Sequence, residues 1–596
     1  MKRYTQLVIA GTLLAFVAGC SSEPADEKTG GGGEATPGAV AEVTFFLGAR
    51  LITGDGSAPI EEATFIVSNG KITAIGAKGE LRAPDGAGRV DLEGQTVMPV
   101  VVNLHGHAGI NNGSTTGSQN YSRESVLADL NRYIYYGVGA VALLGTDSGD
   151  IIYGIRDEQR EGKGGSARVL TAGQGITVRG GWPVSILGNI PIQVSSEADA
   201  RQAVAGLAAK KVDFVKIWVD DDMGRVPKMS PAIARAIIDE AKKSSLRVVA
   251  HVFYLADAKE LVAAGVSGLV HSIRDREVDN ALVAEMKEKN VFYTPTLVAH
   301  EAKFVYADDP DWLGEQTMRE AYPAQLSAYY ANAITVNRYK RNADADKFRQ
   351  QYDIAKRNLK KMADGGVKIG LGTDSGTGGD FPGYFEHREM ELMVSAGMSA
   401  SDVIKAASVV SAEIAGVADL GGLAVGKSGD FFVLNTNPLD DIKNTKDILS
   451  MYRNGQEMQR LPLIQNLTMD VPSITDADRA ADRAAAVREA QLAAEAKLEH
   501  FGKFVLGPSA NVRAMPIPTP KGSTSRIVAG PPDRITVGLR ASAADLRQFY
   551  TAALPRYRWT LQGQCWERTH PISNKTQVLC ADTSAANSIV LQISER

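Results

Sequence analysis

Hydrophobic and polar positions change their pattern along the chain. Residues 42–98 form short alternating runs broken by turn residues, and Asn69-Gly70 predicts a hairpin. From Pro99 onward, β-branched runs alternate with stretches of helical period, such as SPAIARAIIDEAKKS and LADAKELVAAG. The apolar runs of this part are VVNLH, GAVALL, RVLTAG, DFVKIWV, LRVVAH, SGLVH, VFYTPT and VKIGLGT.

The regular alternation of eight strands with helices predicts an α/β fold, a (β/α)8 TIM barrel over residues 99–416. A doubly wound open sheet is the alternative, but no glycine-rich phosphate-binding fingerprint follows the first strand. Residues 417–465 return to short strands and are predicted to complete the small β domain begun by residues 42–98. The Ala-, Arg- and Glu-rich composition predicts a helical linker over 466–504, followed by a small α+β domain over 505–596.

The N-terminal part has the composition of an export signal and a tether. A positively charged start precedes an apolar run that is short for a membrane span, and the small residues VAG stand before Cys20. This box resembles the processing site of bacterial lipoproteins. It predicts a signal peptide over 1–19, lipidation of Cys20, a flexible linker over 20–41 and a place in the cell envelope, with Ser21 favouring the outer membrane. An ordinary cleaved signal is the alternative.

Net charge and cysteine content limit the binding partners and the kinds of covalent or metal site that the chain can form. The net charge is −4, and no basic stripe occurs, so we expect no nucleic-acid partner and membrane contact only through a lipid anchor. Besides Cys20, the chain has Cys565 and Cys580, which export would allow to form a disulfide; two buried free thiols are the alternative. No Cys-x-x-Cys spacing occurs, which argues against a cysteine-based zinc site.

Four histidines each stand at the carboxyl end of an apolar run. His105 and His107 end the first strand, and residues two apart on a strand point to the same face, so both rings can converge on one metal. His251 and His271 close later runs, and in a barrel all such ends lie on one face. Imidazoles in this arrangement favour zinc or a similar metal, although each histidine alone is compatible with a structural role.

Lys216 lies within VDFVKIWVD, on an apolar run that reads as a buried strand. An unpaired buried ammonium is costly. Two explanations fit the pattern. Lys216 pairs with an acid such as Asp220 or Asp221, or its neutral amine adds carbon dioxide to become a carbamate that can bridge two metals.

Two copies of GTDSG place an aspartate after a strand, Asp147 after the second and Asp374 after the eighth. Either aspartate can cap the element that follows. The order of the residues along the chain favours Asp374 as the metal ligand.

That order resembles the amidohydrolase superfamily, with His-x-His on the first strand, Lys on the fourth, His on the fifth and sixth, and Asp on the eighth. AHVFYLADAKELVAAGVSGLVHSI, MADGGVKIGLGTDSG and GGLAVGKSGDFFVLNTNPLDDI resemble its imidazolonepropionase-like and prolidase-like branch, and the similarity spans about Glu42 to Arg460. The resemblance implies a composite β-sandwich beside the barrel and two Zn²⁺ ions. Its implied ligands are His105, His107 and Asp374 for the first metal, His251 and His271 for the second, and carboxylated Lys216 between them.

The resemblance further implies a metal-dependent hydrolase of carbon–nitrogen bonds, and the N-terminal signal predicts that it is exported. Its substrate would be a small molecule such as an N-acyl amino acid or a dipeptide, attacked by metal-activated hydroxide with Asp374 as general acid and base. Hydrolysis of a cyclic amide, lactone or ester on the same site is one alternative. A catalytically silent surface-binding lipoprotein is another, and a homo-oligomer is left open.

Several residues depart from the family pattern or extend it. Val100 follows Pro99 where glycine is common, and Asn103 stands where aspartate is common. Trp182 replaces a frequent histidine and brings a large aromatic group toward the expected pocket. The resemblance also implies Tyr254 and His387 as substrate contacts, and each is equally compatible with a structural role.

Overall fold

The computed structural model describes residues 43–496 and, beyond these, residues 500–501, 504–505, 510–512, 515–528, 533–539, 541–569, 575–582 and 588–596. The predicted signal peptide, the predicted lipidation site Cys20 and the whole of the predicted linker lie outside the described residues. The first strands precede the barrel segment. They are β1 (Val43–Leu51), β2 (Ile60–Ser68), β3 (Lys71–Gly76), β4 (Gly88–Asp91) and β5 (Thr96–Pro99).

Parallel strands follow at the predicted apolar runs because their side chains are buried on both faces. They form two sheets over the described residues, one in the order β6-β7-β8 and one in the order β10-β9-β11-β12-β13-β14. Their bounds are β6 (Val101–Gly106), β7 (Val138–Leu143), β8 (Arg168–Thr171), β9 (Ile176–Val178), β10 (Ile192–Val194), β11 (Phe214–Val219), β12 (Arg247–Val252), β13 (Gly268–Val270) and β14 (Phe292–Thr294).

Over the described residues the predicted barrel is not a closed ladder, because β8 pairs with no strand of the second sheet. The eighth predicted strand, VKIGLGT, is also not a regular strand in the structure. Its backbone nevertheless bonds to both sheets. Tyr293 N of β14 donates to Lys368 O, and Leu104 N of β6 donates to Leu371 O, both at 2.9 Å. Glycine permits this close approach, because a Cβ on Gly370 would lie 2.3 Å from the Leu104 side chain.

Helices cover the parallel strands. Capping residues mark the ends of two of them: the Ser230 side chain accepts from Ile233 N at the start of α5 (Pro231–Lys243), and α6 (Leu255–Ala264) ends at Gly265, whose φ is 89°. The bounds are α1 (Arg123–Tyr135), α2 (Ile151–Arg160), α3 (Val184–Leu187), α4 (Glu197–Ala209), α5 (Pro231–Lys243), α6 (Leu255–Ala264), α7 (Asn280–Glu288), α8 (Leu297–Glu301), α9 (Gln316–Ala321), α10 (Ala324–Tyr330), α11 (Ala333–Lys340), α12 (Ala345–Asp364), α13 (Tyr384–Ser395), α14 (Ala400–Lys405) and α15 (Ser411–Ala415).

The chain then returns to the first sheet through β15 (Phe431–Leu434), β16 (Ile448–Arg453) and β17 (Gln456–Glu457). Because β15 pairs with β5, the two predicted β segments share one sheet of eight strands over the described residues. Aromatic rings hold its core. Phe46 stacks on Phe65 at 4.6 Å between ring centroids, and Phe431 stacks on Tyr452 at 4.8 Å.

The last part of the chain begins with α16 (Leu461–Ile464) and the long helix α17 (Asp476–Ala496), within the predicted helical linker. Arg341 next to α11 pairs with Asp482 and Glu489 of α17. The strands that follow are β18 (His500–Phe501), β19 (Phe504–Val505), β20 (Ala510–Val512), β21 (Met515–Ile517), β22 (Thr524–Val528) and β23 (Asp533–Gly538), then α18 (Ala543–Ala553), then β24 (Thr560–Gln562), β25 (Cys565–Thr569), β26 (Thr576–Asp582) and β27 (Ser588–Glu595).

Strands β22 to β27 form one sheet, and a disulfide joins Cys565 of β25 to Cys580 of β26 at directly paired positions. The predicted disulfide is therefore present. Trp559 and Trp566 lie in the core of this unit with Phe549 of α18. Among the described helices, none has both the length and the apolar composition that crossing a bilayer requires.

Candidate metal centre

Three predicted metal ligands meet where β6 ends beside residues 373–374. His105 Nε2 lies 3.0 Å and His107 Nε2 lies 2.8 Å from the same atom, Asp374 Oδ1. The ligand atoms of the three residues all lie within 4.8 Å of one another. Two imidazoles and one carboxylate suit a divalent first-row metal, so the residues present fit the group that the sequence implied.

Hydrogen bonds fix the orientation of these ligands. His107 Nδ1 lies 2.7 Å from Thr146 Oγ1, which leaves Nε2 for the metal side. Asp374 N donates to His105 O at 2.7 Å, so the aspartate is held to the strand that carries the histidines. Both histidine contacts fall on Oδ1 of Asp374, and among the described residues none of the recorded hydrogen bonds uses Oδ2.

His251 and His271 stand at the ends of β12 and β13, next to the first group. Their ring centroids are 4.2 Å apart, and the His271 ring lies 4.7 Å from the His105 ring. Asp220 Oδ2 is 2.8 Å from His251 Nε2, and Thr296 Oγ1 is 2.8 Å from His271 Nδ1. A metal would therefore meet His251 at Nδ1 and His271 at Nε2.

Lys216 of β11 completes the group, with its side chain fully buried and its Nζ 3.3 Å from His105 Nε2. The acidic partners that the sequence offered are engaged elsewhere, since Asp220 contacts His251 and Asp221 accepts from the Tyr254 hydroxyl at 2.8 Å. Among the described residues Lys216 forms no ion pair. Burial lowers its pKa to about 7, so a substantial fraction of the amine is neutral at neutral pH.

Burial sets the charge state of the ligand set. Desolvation, followed by the charge of Lys216, lowers the pKa of His105 to about 3, and desolvation holds the pKa of His271 well below its ordinary value. Both rings are therefore neutral, as metal coordination requires. Burial opposes ionisation of Asp374, but the contacts that His105 and His107 make with its Oδ1 hold its pKa well below the ordinary range.

Two of these residues carry strained backbone. His271 has φ 69° and Asp374 has φ 64°, both in the left-handed region that residues other than glycine seldom adopt. Such strain costs on the order of 1–3 kcal/mol per residue and persists where surrounding contacts over-determine the backbone, which is common at functional sites.

A cavity of about 600 Å³ opens onto the centre. Trp182 lines it, as the sequence predicted, together with Trp218 and the exposed Ile186. The other two predicted substrate contacts do not line it. Tyr254 is held by Asp221, and His387 is fully buried, with its ring nitrogens 2.9 Å from Thr445 Oγ1 and 2.8 Å from Tyr136 O.

Asp147, the aspartate of the first GTDSG copy, has a structural role in the neighbouring loop. It is buried, and its carboxylate accepts from the hydroxyls of Tyr121 and Thr171. The structure thus brings Asp374, and not Asp147, to the histidines.

Comparison with known proteins identifies the family. Residues 96–458 match the model of the amidohydrolase family. The chain belongs to the amidohydrolase family. The ochratoxinase of Aspergillus niger is 26% identical to this amidohydrolase over 462 residues, covering 70% of this chain and 86% of the relative.

Solved structures show the same fold. A putative prolidase from Bifidobacterium longum superposes with a TM-score of 0.57 at 24% identity, covering 75% of this chain and all of its own. A Xaa-Pro dipeptidase with bound methionine gives a TM-score of 0.56 at 21% identity, covering 70% of this chain and all of its own. This amidohydrolase therefore has a TIM-barrel type of fold with an additional domain.

One buried residue that the sequence did not reveal supports the amidohydrolase centre. Glu386 of α13 is fully buried, and its Oε1 accepts from Asn103 Nδ2 at 2.6 Å, Thr373 Oγ1 at 2.7 Å and Ser375 Oγ at 2.8 Å. Asn103 in turn accepts from His105 N at 2.9 Å. Asn103 stands where the family commonly has aspartate, and at this position Glu386 supplies the carboxylate, which accepts a hydrogen bond from the Asn103 amide.

Proposed function

We propose that this amidohydrolase uses a binuclear metal centre to hydrolyse a carbon–nitrogen bond in a small molecule such as an N-acyl amino acid or a dipeptide. One observation carries the proposal: His105, His107 and Asp374 converge, with His271 and a buried Lys216 beside His105. His105, His107 and His271 stand at the end of a parallel strand or directly after it, which is where such folds build active sites.

His105, His107 and Asp374 would hold one divalent cation, and His251 with His271 would hold a second. Bound there, divalent cations such as Zn²⁺ supply Lewis acidity, which polarises a carbonyl and makes water easier to deprotonate. Asp374 would orient the attacking water through Oδ2, accept its proton and pass that proton to the leaving nitrogen. Burial lowers the pKa of His105, His251 and His271, so these rings remain available as ligands throughout.

Lys216 would become the bridging ligand by carboxylation. Its neutral amine adds carbon dioxide, forming one nitrogen–carbon bond and releasing one proton, and the product is an anionic carbamate. This replaces a costly buried cation by an anion beside neutral histidines, and it explains how an apolar strand tolerates a lysine. Its closeness to His105 Nε2 and its lack of an ion-pair partner among the described residues support the step.

The relatives support amide chemistry over the alternatives. An ochratoxinase, a putative prolidase and a Xaa-Pro dipeptidase are among the proteins that this chain resembles. Lactone or ester hydrolysis on the same site remains the alternative within enzymes. A silent surface-binding protein has little support, because the complete ligand set is present and strained backbone is kept at His271 and Asp374.

A substrate panel tests the proposal. The purified metal-loaded chain and its His105→Ala variant would be assayed on N-acyl amino acids, dipeptides, lactones and aryl esters. We expect amide hydrolysis that falls at least about 100-fold in the variant, because one ligand of the first metal is lost. Faster hydrolysis of lactones or esters would establish the alternative, and equal activity of both proteins would refute the metal centre.

We also propose that the mature protein is exported and anchored in the cell envelope through lipidated Cys20. The disulfide between Cys565 and Cys580 supports an oxidising compartment. Labelling of producing cells with a radioactive fatty acid should mark the wild-type protein and not the Cys20→Ala variant; labelling of both would refute the anchor.

A further inference from the structure

Arg274 is a buried cation that the chemistry described above does not use. It follows β13 three residues after His271, it is 5% exposed, and it lines the same cavity as the metal ligands. Its Nη1 donates to Val252 O at 3.2 Å and Ser272 O at 3.0 Å, and its guanidinium carbon lies 4.5 Å from the centroid of the Phe253 ring. These contacts fix the plane of the guanidinium beside the reacting centre.

No carboxylate within the described residues forms an ion pair with Arg274. Asp220 is the carboxylate with the strongest electrostatic influence on it, but that side chain is engaged by His251. Both hydrogen bonds of the guanidinium use Nη1, so Nε and Nη2 of this cavity-lining side chain have no hydrogen-bond acceptor among the described residues. A buried guanidinium that forms no direct ion pair keeps unused hydrogen-bond donors, and a bidentate anion is the ligand that its geometry matches best.

The other charged groups around the cavity reinforce this preference for an anion. Lys303 lines the cavity with its Nζ 5.3 Å from the Phe348 ring centroid and has no ion-pair partner among the described residues. Asp222 is paired with Arg225 at 3.5 Å. Asp380 is buried, and desolvation raises its pKa to about 8, so it adds little negative charge at neutral pH.

The wall around Trp182 has the opposite character. Trp182, Pro183, Ile186 and Leu187 present apolar surface, with half of Ile186 exposed and Trp218 nearby. A ligand that fills the cavity would therefore combine an anionic group near Arg274 with an apolar group near Trp182.

We propose that Arg274 is a specificity-determining residue that binds the carboxylate of the substrate, so that the enzyme prefers N-acyl amino acids with an apolar acyl group over their uncharged analogues. The inference rests on the proposed function and names its substrate class. Lys303 adds positive charge at the same side of the cavity, whereas Trp182 receives the acyl group.

The test compares N-benzoyl-leucine with N-benzoyl-leucinamide, which differ in the carboxylate alone. Benzoate release by the metal-loaded wild type should favour the acid. In Arg274→Met, kcat/KM for the acid should fall at least about 30-fold, mainly through KM, while the value for the carboxamide stays within about threefold. Arg274→Lys should recover part of the preference, which a purely structural role would not produce.

Two further variants keep the test valid if Arg274→Met does not fold. Lys303→Met changes an exposed side chain and should weaken the preference for the acid. Lys356→Met is its matched control, because Lys356 also lies over an aromatic ring, 4.7 Å from the Tyr352 centroid, but does not line the cavity. It should leave the preference unchanged.

The outcomes separate the two proposals. Equal wild-type rates on both compounds, or equal losses on both in Arg274→Met, would overturn the role of Arg274 and leave amide hydrolysis standing. If neither compound is hydrolysed, the affinity of the chain for each compound, measured by calorimetry, tests the role of Arg274. Tighter binding of the acid that Arg274→Met removes would keep the role of Arg274 although the proposed reaction fails, and equal binding would overturn it.

Discussion

Glu386 shows how a single buried carboxylate can order a centre that it does not touch. Three side-chain donors and Gly383 N converge on its two oxygens. Burial raises its pKa to about 7 even though these hydrogen bonds favour the ionised form. The residues that donate to it, Asn103, Thr373 and Ser375, flank the ligands His105 and Asp374, so we assign Glu386 a positioning role.

Glu386→Gln should therefore damage the centre without removing a ligand. In the variant, an NH2 group replaces one carboxylate oxygen of Glu386. This group would face hydrogen-bond donors that now bond to an oxygen, and two donors cannot bond to each other. We expect the free energy of unfolding to fall by about 1–3 kcal/mol and metal content to fall with it, measured by denaturant titration and elemental analysis. Glu413→Gln, at an exposed ion pair with Lys368, is the matched control. Lost stability with unchanged metal content would show that Glu386 is only a packing residue.

Residue-scale prediction succeeded where local pattern decides the outcome. Residues two apart on a strand share a face, so the sequence predicts that His105 and His107 converge. The role of Glu386 could not be predicted from the sequence, because its partner Asn103 is 283 positions away in the chain. The assignment of His387 was wrong for a related reason: neighbours on a helix point about 100° apart, so His387 faces Tyr136 and Thr445 while Glu386 faces the centre.

At the scale of elements, the segment 367–372 is the main departure from the predicted barrel. Its apolar and β-branched pattern predicted a strand, but its glycines admit close backbone approach without a regular ladder. A Cβ on Gly372 would lie 2.3 Å from Thr294 Cγ2 and 2.9 Å from His105 Cβ. The sequence predicted where this segment lies. Its irregular hydrogen bonding depends on side chains of β6 and β14 that lie close to its glycines, and the sequence does not show which side chains these are.

Gly372→Ala should consequently shift this segment against β6 and carry Asp374 out of register with His105. We expect a loss of about 1–3 kcal/mol in unfolding free energy and at least about a tenfold loss of hydrolytic rate. Gly206→Ala in α4 is the control, because no atom lies within 4 Å of the added Cβ and helical alanine is favoured over glycine. Full activity in Gly372→Ala would show that Asp374 does not depend on this approach.

At the scale of the whole molecule, the metal ligands and the C-terminal unit occupy separate parts of the chain. The matched family model ends at residue 458, and every metal ligand named above precedes it. The β22–β27 unit has its own core around Trp559 and Trp566 and its own disulfide. The predicted α+β composition of this unit is thus present, with a six-stranded sheet and α18.

Removing the disulfide should destabilise this unit and spare catalysis. The Cys565→Ala/Cys580→Ala variant should lose about 3 kcal/mol, the chain-entropy value for a loop of this length, in the unfolding transition followed by tryptophan fluorescence. Wild type in dithiothreitol should behave in the same way. A parallel loss of hydrolytic rate under native conditions would show instead that the unit supports the active site.

Metal stoichiometry tests the central claim most directly. Elemental analysis of the purified chain, reconstituted with Zn²⁺ in the presence of bicarbonate, should give two metal ions per wild-type chain. It should give at most one in Lys216→Ala, because the bridging carbamate is lost. Fewer than one metal per wild-type chain, or an unchanged pair of metals in Lys216→Ala, would contradict a binuclear centre bridged by Lys216.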